Sequence, residues 1–373
     1  MLCDPPDDVP RRHGWKLHVS ATPLSAPIVL ARSAEVLIRH GCSFKFATDL
    51  ARVAQLVEIW YDRGGGGKFI TAYPRDDEHF RVLADRLHEV TEGLAGPRIL
   101  SDKQFRQGSL VHSRYGAFRG DQHLTDDGKF VSQLVGPDGS TGSDVRNAWF
   151  SQPAWAVYPF PEEPVRAAAA PESVLLGGRF RVRGAIRHAN KGGVYRATDE
   201  HDGAEVIVKQ ARAHVGARLD GTDVRDRLRK EARMLELLAP MRVAPAKVAL
   251  LEEQDDLFLA EEAVPGEPLN AVSPRKSAVL ADGELLSLVR KLVELVARVH
   301  EAGWVIQDLK PQNVMVTPEG DVLLVDVEHV TERGVHRAPA FTPNYGAPEV
   351  ADEVRRGRTS VVAASAWASP SSP

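Results

Sequence analysis

Apolar and polar residues alternate in several short stretches of the first 120 residues. Alternation with a period of two predicts strands that bury one face. The predicted strands are Trp15 to Val19, Ser43 to Phe46, Phe69 to Tyr73 and Leu110 to Phe118. Between them, apolar residues recur about one helical turn apart, from Leu50 to Val57 and from Phe80 to Val90. This region is therefore predicted to be a small N-terminal domain of α/β or α+β type.

A second ordered region is predicted from about residue 176, and the whole chain is assigned to the α+β class. An apolar strand ends at Lys209, and Glu231 lies in a segment whose apolar residues fall one helical turn apart. Prolines and an alanine tract between the two regions indicate a stiff linker. The expected organisation is a disordered tail at 1–14, an α/β domain at 15–150, a linker at 151–175, a second domain at 176–355 and a disordered, low-complexity tail at 356–373.

The composition narrows the classes of protein to which the chain can belong. With 43% hydrophobic residues and a net charge of −4, it can build hydrophobic cores, and it has no basic run for nucleic acid or an anionic membrane. Its two cysteines, Cys3 and Cys42, support neither a disulfide framework nor a cysteine zinc site. No segment reads as a secretory signal or a membrane span. We expect a cytoplasmic protein without a nucleic-acid or membrane partner.

One chemical pattern is the run Asp308-Leu309-Lys310-Pro311-Gln312-Asn313, which Asp326 follows at the end of an apolar stretch. Phosphoryl transfer needs a carboxylate beside the attacking hydroxyl, a carboxylate on the nucleotide-bound metal and an asparagine on the second metal position. Asp308, Asn313 and Asp326 have the residue types and the order that these roles require. Asp308 and Lys310 are therefore catalytic candidates, and Asn313 and Asp326 are candidate Mg²⁺ ligands.

Upstream residues supply candidates for a nucleotide site. Lys209 and Glu231 can pair across a cleft to hold the α and β phosphates. The candidates for a phosphate-covering loop are Gly192, Gly193 and Val194. Together with Ala347-Pro348-Glu349, these motifs resemble those of protein kinases. The resemblance implies a bilobal fold, Ser/Thr kinase activity, and ATP or another nucleoside triphosphate with Mg²⁺.

The resemblance to protein kinases ends at Ala347-Pro348-Glu349. A kinase C-lobe continues with helices beyond this motif, whereas here 24 residues follow, and the last of them are rich in Ala, Ser and Pro. We therefore expect an incomplete C-lobe and a chain that was cut short relative to a longer protein. Kinase activity should suffer from this truncation more than any activity of the N-terminal domain.

Basic side chains on the predicted N-terminal strands indicate a second site. Lys16 and His18 are two residues apart and share one face of a strand. Lys45 lies between two phenylalanines, where desolvation would lower its proton affinity and suit it to act as a general base. The other candidates are Arg63, Tyr73 and Arg114.

The order of these residues resembles the motifs of phosphothreonine lyases, here Lys16-Leu17-His18, Phe44-Lys45-Phe46, Arg63, Tyr73 and Ser113-Arg114-Tyr115-Gly116. A lyase followed by a kinase is similar to the class III and class IV lanthipeptide synthetases, and the resemblance covers roughly residues 15 to 350. The loop Asn190-Lys191-Gly192-Gly193 favours class IV over class III.

The resemblance assigns a role to each lyase candidate. Arg63, Arg114 and Lys16 would bind the phosphate of a phosphorylated Ser or Thr. Lys45 would remove the Cα proton, and His18, as an imidazolium, would protonate the departing phosphate. Tyr73 would hydrogen-bond the phosphate or the developing enolate, with a role in capping the core as the alternative. The implied partner is a precursor peptide with a leader, and ring closure would need a cyclase on another polypeptide or a missing domain.

Two alternative functions compete with a kinase-coupled dehydratase. The first is a stand-alone regulatory Ser/Thr kinase with an N-terminal sensor domain, in which case the intact phosphopeptide would be the final product. The second is a fragment with impaired catalysis that binds nucleotide or leader peptide without turnover.

Overall fold

The computed structural model describes residues 1–5, 11–118, 122–124, 130–160, 174–276, 282–335, 342 and 344–346. The Ala347-Pro348-Glu349 motif and the tail expected to be disordered at 356–373 lie outside these residues. Within the described part of the chain, the helices lack the length and apolar character that a membrane span requires.

The N-terminal domain begins at the first residues of the chain. Its elements are β1 Leu2–Cys3, β2 His13–Val19, α1 Ala26–Arg39, β3 Ser43–Phe46, α2 Leu50–Leu56, β4 Ile70–Tyr73, α3 Asp77–Thr91, β5 Lys103–Gln104, β6 Val111–Ala117, β7 Gln122–Leu124, β8 Phe130–Val135 and β9 Thr141–Ser143. The four predicted strands are confirmed with bounds that agree to within two residues. The predicted helices correspond to α2 and α3.

An antiparallel sheet runs through this domain in the order β1-β3-β4-β2-β6-β5. Its core face buries Leu17 and Ile70 together with Phe80, Leu83 and Leu87 of α3. Because side chains alternate along a strand, the residues between these apolar positions lie on the opposite face. Of the two types left open for this region, α/β is excluded, since α/β domains are built on parallel strands. The domain is α+β.

Two segments that were expected to be unstructured contribute to this domain. Residues 1–14 include β1, which pairs with β3 through Leu2 and Cys3, and the start of β2 at His13. Residues 151–160 of the expected linker pack on the core. The indole of Trp15 donates a hydrogen bond to the carbonyl of Val157 at 2.8 Å, and the ring of Tyr158 meets that of Trp15 edge-on. Backbone pairing and aromatic burial therefore override the polar and proline-rich composition.

The second domain has two lobes. Its elements are β10 Leu175–Leu176, β11 Phe180–Ala189, β12 Gly192–Asp199, β13 Glu205–Ala211, α4 Val224–Leu238, a 3₁₀ turn at Ala239–Met241, β14 Lys247–Glu253, β15 Asp256–Glu262, β16 Glu267–Pro268, α5 Leu269–Lys276, α6 Asp282–Glu301, β17 Trp304–Ile306, a 3₁₀ turn at Pro311–Asn313, β18 Val314–Val316, β19 Val322–Leu324 and β20 Val330–Glu332. The first lobe is an antiparallel sheet in the order β10-β11-β12-β13-β15-β14 with α4 packed against it. The second lobe contains α5, α6 and the short strands β16–β20.

The helix α4 carries Glu231 and has a strong start signal. The carboxylate of Asp223 caps the first turn, and Asp226 completes a capping box by accepting from the backbone N–H of Asp223 at 2.8 Å. Leu228, Leu235 and Leu238 bury the helix on the lobe's core. This apolar stripe fixes the rotation of the helix, which in turn directs Glu231 towards β13.

Candidate active sites

One face of the N-terminal sheet gathers most of the predicted lyase residues. His18 pairs with Thr71 on one side and with His112 on the other, and Lys45 pairs with Thr71, so these residues form one row across the sheet. The neighbouring row places Lys16 beside Arg114. Tyr73 lies two residues from Thr71 and so shares this face. The ring of Tyr73 meets that of Phe118 edge-on at 5.2 Å.

His18 is held by a carboxylate that the sequence did not reveal. Its Nδ1 lies 2.5 Å from Oδ2 of Asp102, whose other oxygen accepts from Ser101 at 2.6 Å and pairs with Lys68 at 3.0 Å. Burial would raise the pKa of Asp102, but His18 and Lys68 hold it well below its ordinary value. Since Nδ1 donates to Asp102, Nε2 of His18 is the nitrogen that can exchange a proton with a substrate.

The surroundings of His18 favour the neutral ring, whereas the sequence predicted an imidazolium. The residue is 4% exposed, and burial lowers the pKa of His18 to about 3 even though Asp102 acts in the opposite direction. His112, in the same row, has both ring nitrogens engaged: Nε2 accepts from the N–H of Ile99 at 3.2 Å, and Nδ1 lies 3.0 Å from the carbonyl of Leu110. Burial likewise lowers the pKa of His112 to about 4. His112 therefore has a structural role.

The buried lysine of this face is Lys16, whereas Lys45 is exposed. Burial is the main reason that the pKa of Lys16 falls to about 7, with Arg114, Arg146 and Lys45 contributing in the same direction. The sequence predicted a desolvated position for Lys45, whereas the structure exposes it. Phe44 turns to the core face, and the strand alternation leaves Lys45 on the accessible one.

Arg114 is fixed by groups from the segment after β9. It donates to the carboxylate of Asp144 and, at 2.7 Å, to the carbonyl of Val145. Asp144 also accepts from the backbone N–H of Ala117 at 3.0 Å, which ties this segment to the end of β6. Arg146 is the next residue of this segment after Val145. Its guanidinium lowers the pKa of both Lys16 and Lys68. The face therefore carries an excess of positive charge.

The structure gives Arg63 different neighbours from those predicted. Its guanidinium acts electrostatically on Tyr195 and Arg212 of the kinase domain, and its Nε is buried without a hydrogen-bond partner. The following Gly64 lies against the backbone of Arg146, where a Cβ would approach the carbonyl oxygen to 2.5 Å. Arg63 thus lies at the boundary of the two domains, and Arg146 takes the place beside Lys16 that was expected for it.

In the second domain, Lys209 and Glu231 form the predicted pair. Nζ of Lys209 donates to Oε1 of Glu231 at 2.6 Å and to the carbonyl of Val325 at 3.0 Å, and it lies 3.0 Å from Oε1 of Glu261. Burial would lower the pKa of Lys209, but Glu231, Glu261 and Asp326 raise it well above its ordinary value. The other oxygen of Glu261 is buried without a hydrogen-bond partner.

Asp308, Lys310 and Asn313 meet in the second lobe. The amine of Lys310 donates to Asp308 at 2.5 Å, and the amide of Asn313 donates to the carbonyl of Asp308 at 3.0 Å. Thr342 completes the group, since its hydroxyl donates to Asp308 at 2.7 Å. Burial would raise the pKa of Asp308, yet the bonds from Lys310 and Thr342 lower it. An ionised Asp308 is ready to accept a proton.

The predicted phosphate-covering loop is the hairpin of β11 and β12. Gly192 has φ +147, and a Cβ there would lie 2.0 Å from the carbonyl oxygen of Gln210, so this position requires glycine. Gly193 donates its N–H to Oε1 of Gln210 at 3.1 Å. Val194 pairs with Lys209 on β13, which places the hairpin directly beside the amine.

The charges of this cleft fit a magnesium–nucleotide complex. The acidic groups of Glu231, Glu261 and Asp326 lie around the single amine of Lys209, and burial raises the pKa of Glu231 to about 8, with Asp326 and Glu261 adding to the shift against Lys209. A cation beside these groups would relieve their mutual repulsion. Among the described residues, no group of three or more His, Cys, Asp or Glu side chains is arranged to bind a metal ion by itself. Mg²⁺ usually takes one or two carboxylates and completes its shell with phosphates and water. Asp326 and Asn313 could hold it in that way.

Several residues of the two sites were missed from the sequence. They are Lys68, Asp102, Asp144, Arg146, Glu261 and Thr342. Asp102 and Asp144 lie in loops, where the sequence has no periodic pattern from which the direction of a side chain could be predicted. Thr342 had a usable signal, because it lies five residues before the Ala-Pro-Glu motif of the activation segment.

Comparison with known proteins agrees with this division of the chain. Residues 1–172 match the family described as RamC, N-terminal domain, and residues 183–368 match the protein kinase domain. The chain is 36% identical over 355 residues to the probable SapB synthase of Streptomyces coelicolor, which covers 91% of this chain and 38% of that protein. It is 30% identical over 190 residues to the Ser/Thr protein kinase PknA of Mycobacterium tuberculosis, covering 48% of this chain and 42% of the kinase. The chain thus spans less than half the length of both relatives.

The two matches define a RamC-type N-terminal domain joined to a Ser/Thr protein kinase domain. A bilobal domain with paired Lys209 and Glu231 is the fold that this class requires. The similarity to the probable SapB synthase extends through both domains.

Proposed function

We propose that this chain dehydrates Ser and Thr residues of a precursor peptide in lanthipeptide biosynthesis. The kinase domain esterifies the hydroxyl with phosphate, and the N-terminal domain expels that phosphate. The observation that carries the proposal is the row of Lys45, His18 and the adjacent Lys16–Arg114 pair on one sheet face, in the same chain as the kinase site. Hydroxide is a poor leaving group and phosphate a good one, so the two activities belong to one pathway.

In the first step, Asp308 accepts the proton of the peptide hydroxyl as its oxygen attacks the γ-phosphorus. The bond from that phosphorus to the β–γ bridging oxygen breaks, and the nucleoside diphosphate leaves. Lys209, oriented by Glu231, binds the α and β phosphates, and Lys310 stabilises the charge on the transferring group. Mg²⁺, held by Asp326 and Asn313 with the phosphates, would neutralise the remaining charge. We propose ATP as the nucleotide, with other nucleoside triphosphates open to test.

In the second step, the amine of Lys45, in its unprotonated form, takes the Cα proton of the phosphorylated residue. The electron pair forms the Cα–Cβ double bond, and the Cβ–O bond breaks to release phosphate. Lys16, Arg114 and Arg146 bind the phosphate, because they form the positive part of the face. Tyr73 lies on the same face and can donate its hydroxyl proton to the phosphate or to the developing enolate.

The role of His18 depends on the charge that the substrate brings. Burial favours the neutral form of His18, with the Nδ1 proton directed at Asp102. A phosphate dianion near Nε2 raises the proton affinity of the ring, because an opposite charge favours the protonated form. His18 then carries the proton that the departing phosphate takes. We infer that Asp102 orients the ring throughout and does not itself exchange protons.

Other parts of the proposal rest on the chemistry of the reaction. The substrate is a precursor peptide that presents Ser or Thr, together with a leader that the enzyme binds. Ring closure onto Cys is a further reaction that would need a cyclase. The cysteine usage favours the reducing cytoplasm.

The test is to incubate the chain with ATP, Mg²⁺ and a candidate precursor and to follow the peptide by mass spectrometry. Phosphorylation adds about 80 Da, and completed dehydration leaves the peptide about 18 Da lighter than it began. The matched control is a synthetic, pre-phosphorylated peptide without nucleotide, which reads elimination alone. A pre-phosphorylated peptide that stays intact would disprove the lyase assignment.

A stand-alone Ser/Thr kinase is the second candidate, because 190 residues of this chain align with PknA, a Ser/Thr protein kinase. That function predicts a phosphopeptide as the final product of the first incubation. It also leaves the cluster of Lys16, Arg114 and Arg146 without a role.

A further inference from the structure

The tip of the hairpin between β11 and β12 is attached to the N-terminal domain. Asn190, the first residue of the turn, is 6% exposed and donates from Nδ2 to the carbonyl of Glu58 at 2.7 Å. Gly66, in the glycine run after Arg63, approaches the same amide closely enough that a Cβ there would lie 3.3 Å from Oδ1 of Asn190. In protein kinases this hairpin covers the nucleotide phosphates. Here its tip has a fixed support.

Arg212 joins the hairpin to that support from the other side. Its Nη1 donates to the carbonyl of Asn190 at 2.9 Å and lies 3.2 Å from Oδ1 of the same residue, and Nη2 donates to the carbonyl of Arg98 at 2.5 Å. The backbone N–H of Arg212 donates to the carbonyl of Lys191 at 2.8 Å. One guanidinium therefore links the turn to a loop of the N-terminal domain.

Burying the guanidinium of Arg212 costs free energy, which its contacts must offset. The residue is 4% exposed, and burial lowers the pKa of Arg212 to about 10, with Asp256 opposing the shift and Arg98 and Arg63 adding to it. Its hydrogen-bond acceptors are carbonyl and amide oxygens, which compensate a buried charge less well than a carboxylate does. A planar fork with several donors is, however, the group best able to hold two chain segments at once.

A second chain of contacts leads from Arg98 to the glycines. Arg98 lies 3.7 Å from Asp256, which accepts from Nε2 of Gln210 at 2.7 Å. Oε1 of Gln210 in turn accepts from the N–H of Gly193 and from the hydroxyl of Tyr195. The interface beside these contacts is also fixed, since Gly216 donates to the carbonyl of Val57 at 2.6 Å and Ile59 packs in the core of the kinase lobe.

We propose that Arg212 is a positioning residue for phosphate transfer: it fixes the phosphate-covering hairpin on the N-terminal domain, so that nucleotide affinity depends on that domain. The inference rests on the proposed kinase activity, since it concerns the same nucleotide site. A hairpin whose tip is already ordered loses less conformational entropy when it closes on the phosphates. The smaller entropy loss lowers the Kd for the nucleotide.

The experiment compares Arg212→Met with Arg218→Met in the full chain. Arg218 is exposed, lies on the same connection between β13 and α4, and serves as the matched control. The readouts are the Kd for ATP with Mg²⁺ by calorimetry, the KM for ATP and kcat of phosphorylation, and elimination from a pre-phosphorylated peptide. We expect Arg212→Met to raise the Kd and KM about tenfold, a change of about 1.4 kcal/mol, with elimination unchanged. Arg218→Met should stay within about twofold of the wild type in every readout.

Asn190→Ala provides a second variant. It removes the hydrogen bond from Nδ2 to the carbonyl of Glu58 and leaves the side chain of Arg212 in place. We expect it to raise the Kd for ATP about threefold. A folded Arg212→Met protein that binds ATP as the wild type does would overturn the proposal. An equal loss of nucleotide binding and elimination in both variants would also overturn it, because that result means a general structural role.

The binding measurement also separates this inference from the proposed function. If the wild type binds ATP without transferring phosphate, the proposed function fails, and a tenfold loss of affinity in Arg212→Met still supports the positioning role. A wild type that does not bind ATP with Mg²⁺ overturns both.

Discussion

Lys16 and Lys209 are both buried lysines, yet their environments shift their pKa values in opposite directions. Lys16 lies on a face with Arg114, Arg146 and Lys45, and its pKa falls to about 7. Lys209 is surrounded by Glu231, Glu261 and Asp326, and its pKa rises well above the ordinary value. Burial acts on both in the same sense, so the difference lies in the charges that touch each amine.

This contrast distinguishes the chemistry of the two sites. The N-terminal face carries more basic than acidic side chains, as a site for a phosphate ester should. The kinase cleft gathers three acidic groups around one amine, as a site for Mg²⁺ should. In the proposed reaction, the phosphate ester formed at the kinase site is the group that the N-terminal face binds. Variants that remove one charge at a time test whether the two sites are independent.

The largest effect should come from Asp308→Asn. The amide cannot accept the hydroxyl proton, so phosphorylation should fall by about 10²–10⁴-fold. Elimination from a pre-phosphorylated peptide should be unchanged, because Asp308 lies in the other domain. Asp321→Asn, an exposed carboxylate paired with Lys291, is the matched control. Loss of both activities in Asp308→Asn would mean that the sites are not separable.

Lys45→Met should give the reverse result. Without the amine, proton removal from Cα should slow by about 10²–10⁴-fold, and a phosphopeptide should accumulate in reactions that start from ATP. Phosphorylation should proceed at the wild-type rate. Lys103→Met is the control, because Lys103 lies on the edge strand β5 and its amine is over the Tyr158 ring at 4.1 Å. Unchanged elimination in Lys45→Met would refute the choice of base and direct attention to Lys16.

Asp102→Asn should have an intermediate effect. The amide can no longer fix the Nδ1 tautomer of His18 or pair with Lys68, and partners of this kind change activity by about 10–100-fold. The rate of elimination should fall by that amount, while phosphorylation stays the same. Asp85→Asn, whose carboxylate pairs with Arg106 on the surface, should leave both rates unaltered. Elimination within twofold of the wild type would show that His18 needs no such support.

The sequence predicted the parts of these sites that depend on regular structure. Lys16 and His18 share a face because their strand alternates, and the stripe of Leu228 and Leu235 directs Glu231 towards Lys209. The exposure of Lys45 and the neutrality of His18 were not predictable, because burial depends on which loops cover a sheet. Asp102 reaches His18 from 84 residues away, a distance over which no local pattern carries information.

The contacts between the two domains could not be predicted from sequence patterns either. Prolines at 151–175 suggested a hinge, whereas Tyr158 packs on the first core. The contact of Asn190 with Glu58 joins residues 132 apart and involves a backbone carbonyl, which every residue possesses. Arg63 was assigned by its order in the chain, and its position beside Arg212 follows from this docking.

Lys16→Arg should remove a pH dependence. Because the pKa of Lys16 is about 7, its amine is charged below that pH and binds phosphate, and it becomes neutral as the pH rises. In the wild type, kcat/KM for the phosphopeptide should therefore decline above about pH 7. Arginine stays charged, so the variant should lose this decline while remaining within a few-fold of the wild type at pH 6. Lys247→Arg is the control, and a decline that persists in Lys16→Arg would assign it to another group.

The smallest effect should come from Glu261→Gln, which removes one carboxylate from Lys209. Glu231 and Asp326 still act on the amine, so Lys209 should stay charged and the KM for ATP should change by no more than about threefold, or about 0.6 kcal/mol. Glu231→Gln is the matched comparison and should cost far more, because Glu231 makes the shorter contact, 2.6 Å against 3.0 Å. Equal losses in the two variants, measured as KM and kcat of phosphorylation, would mean that total negative charge and not the geometry of one pair holds Lys209 in its active position.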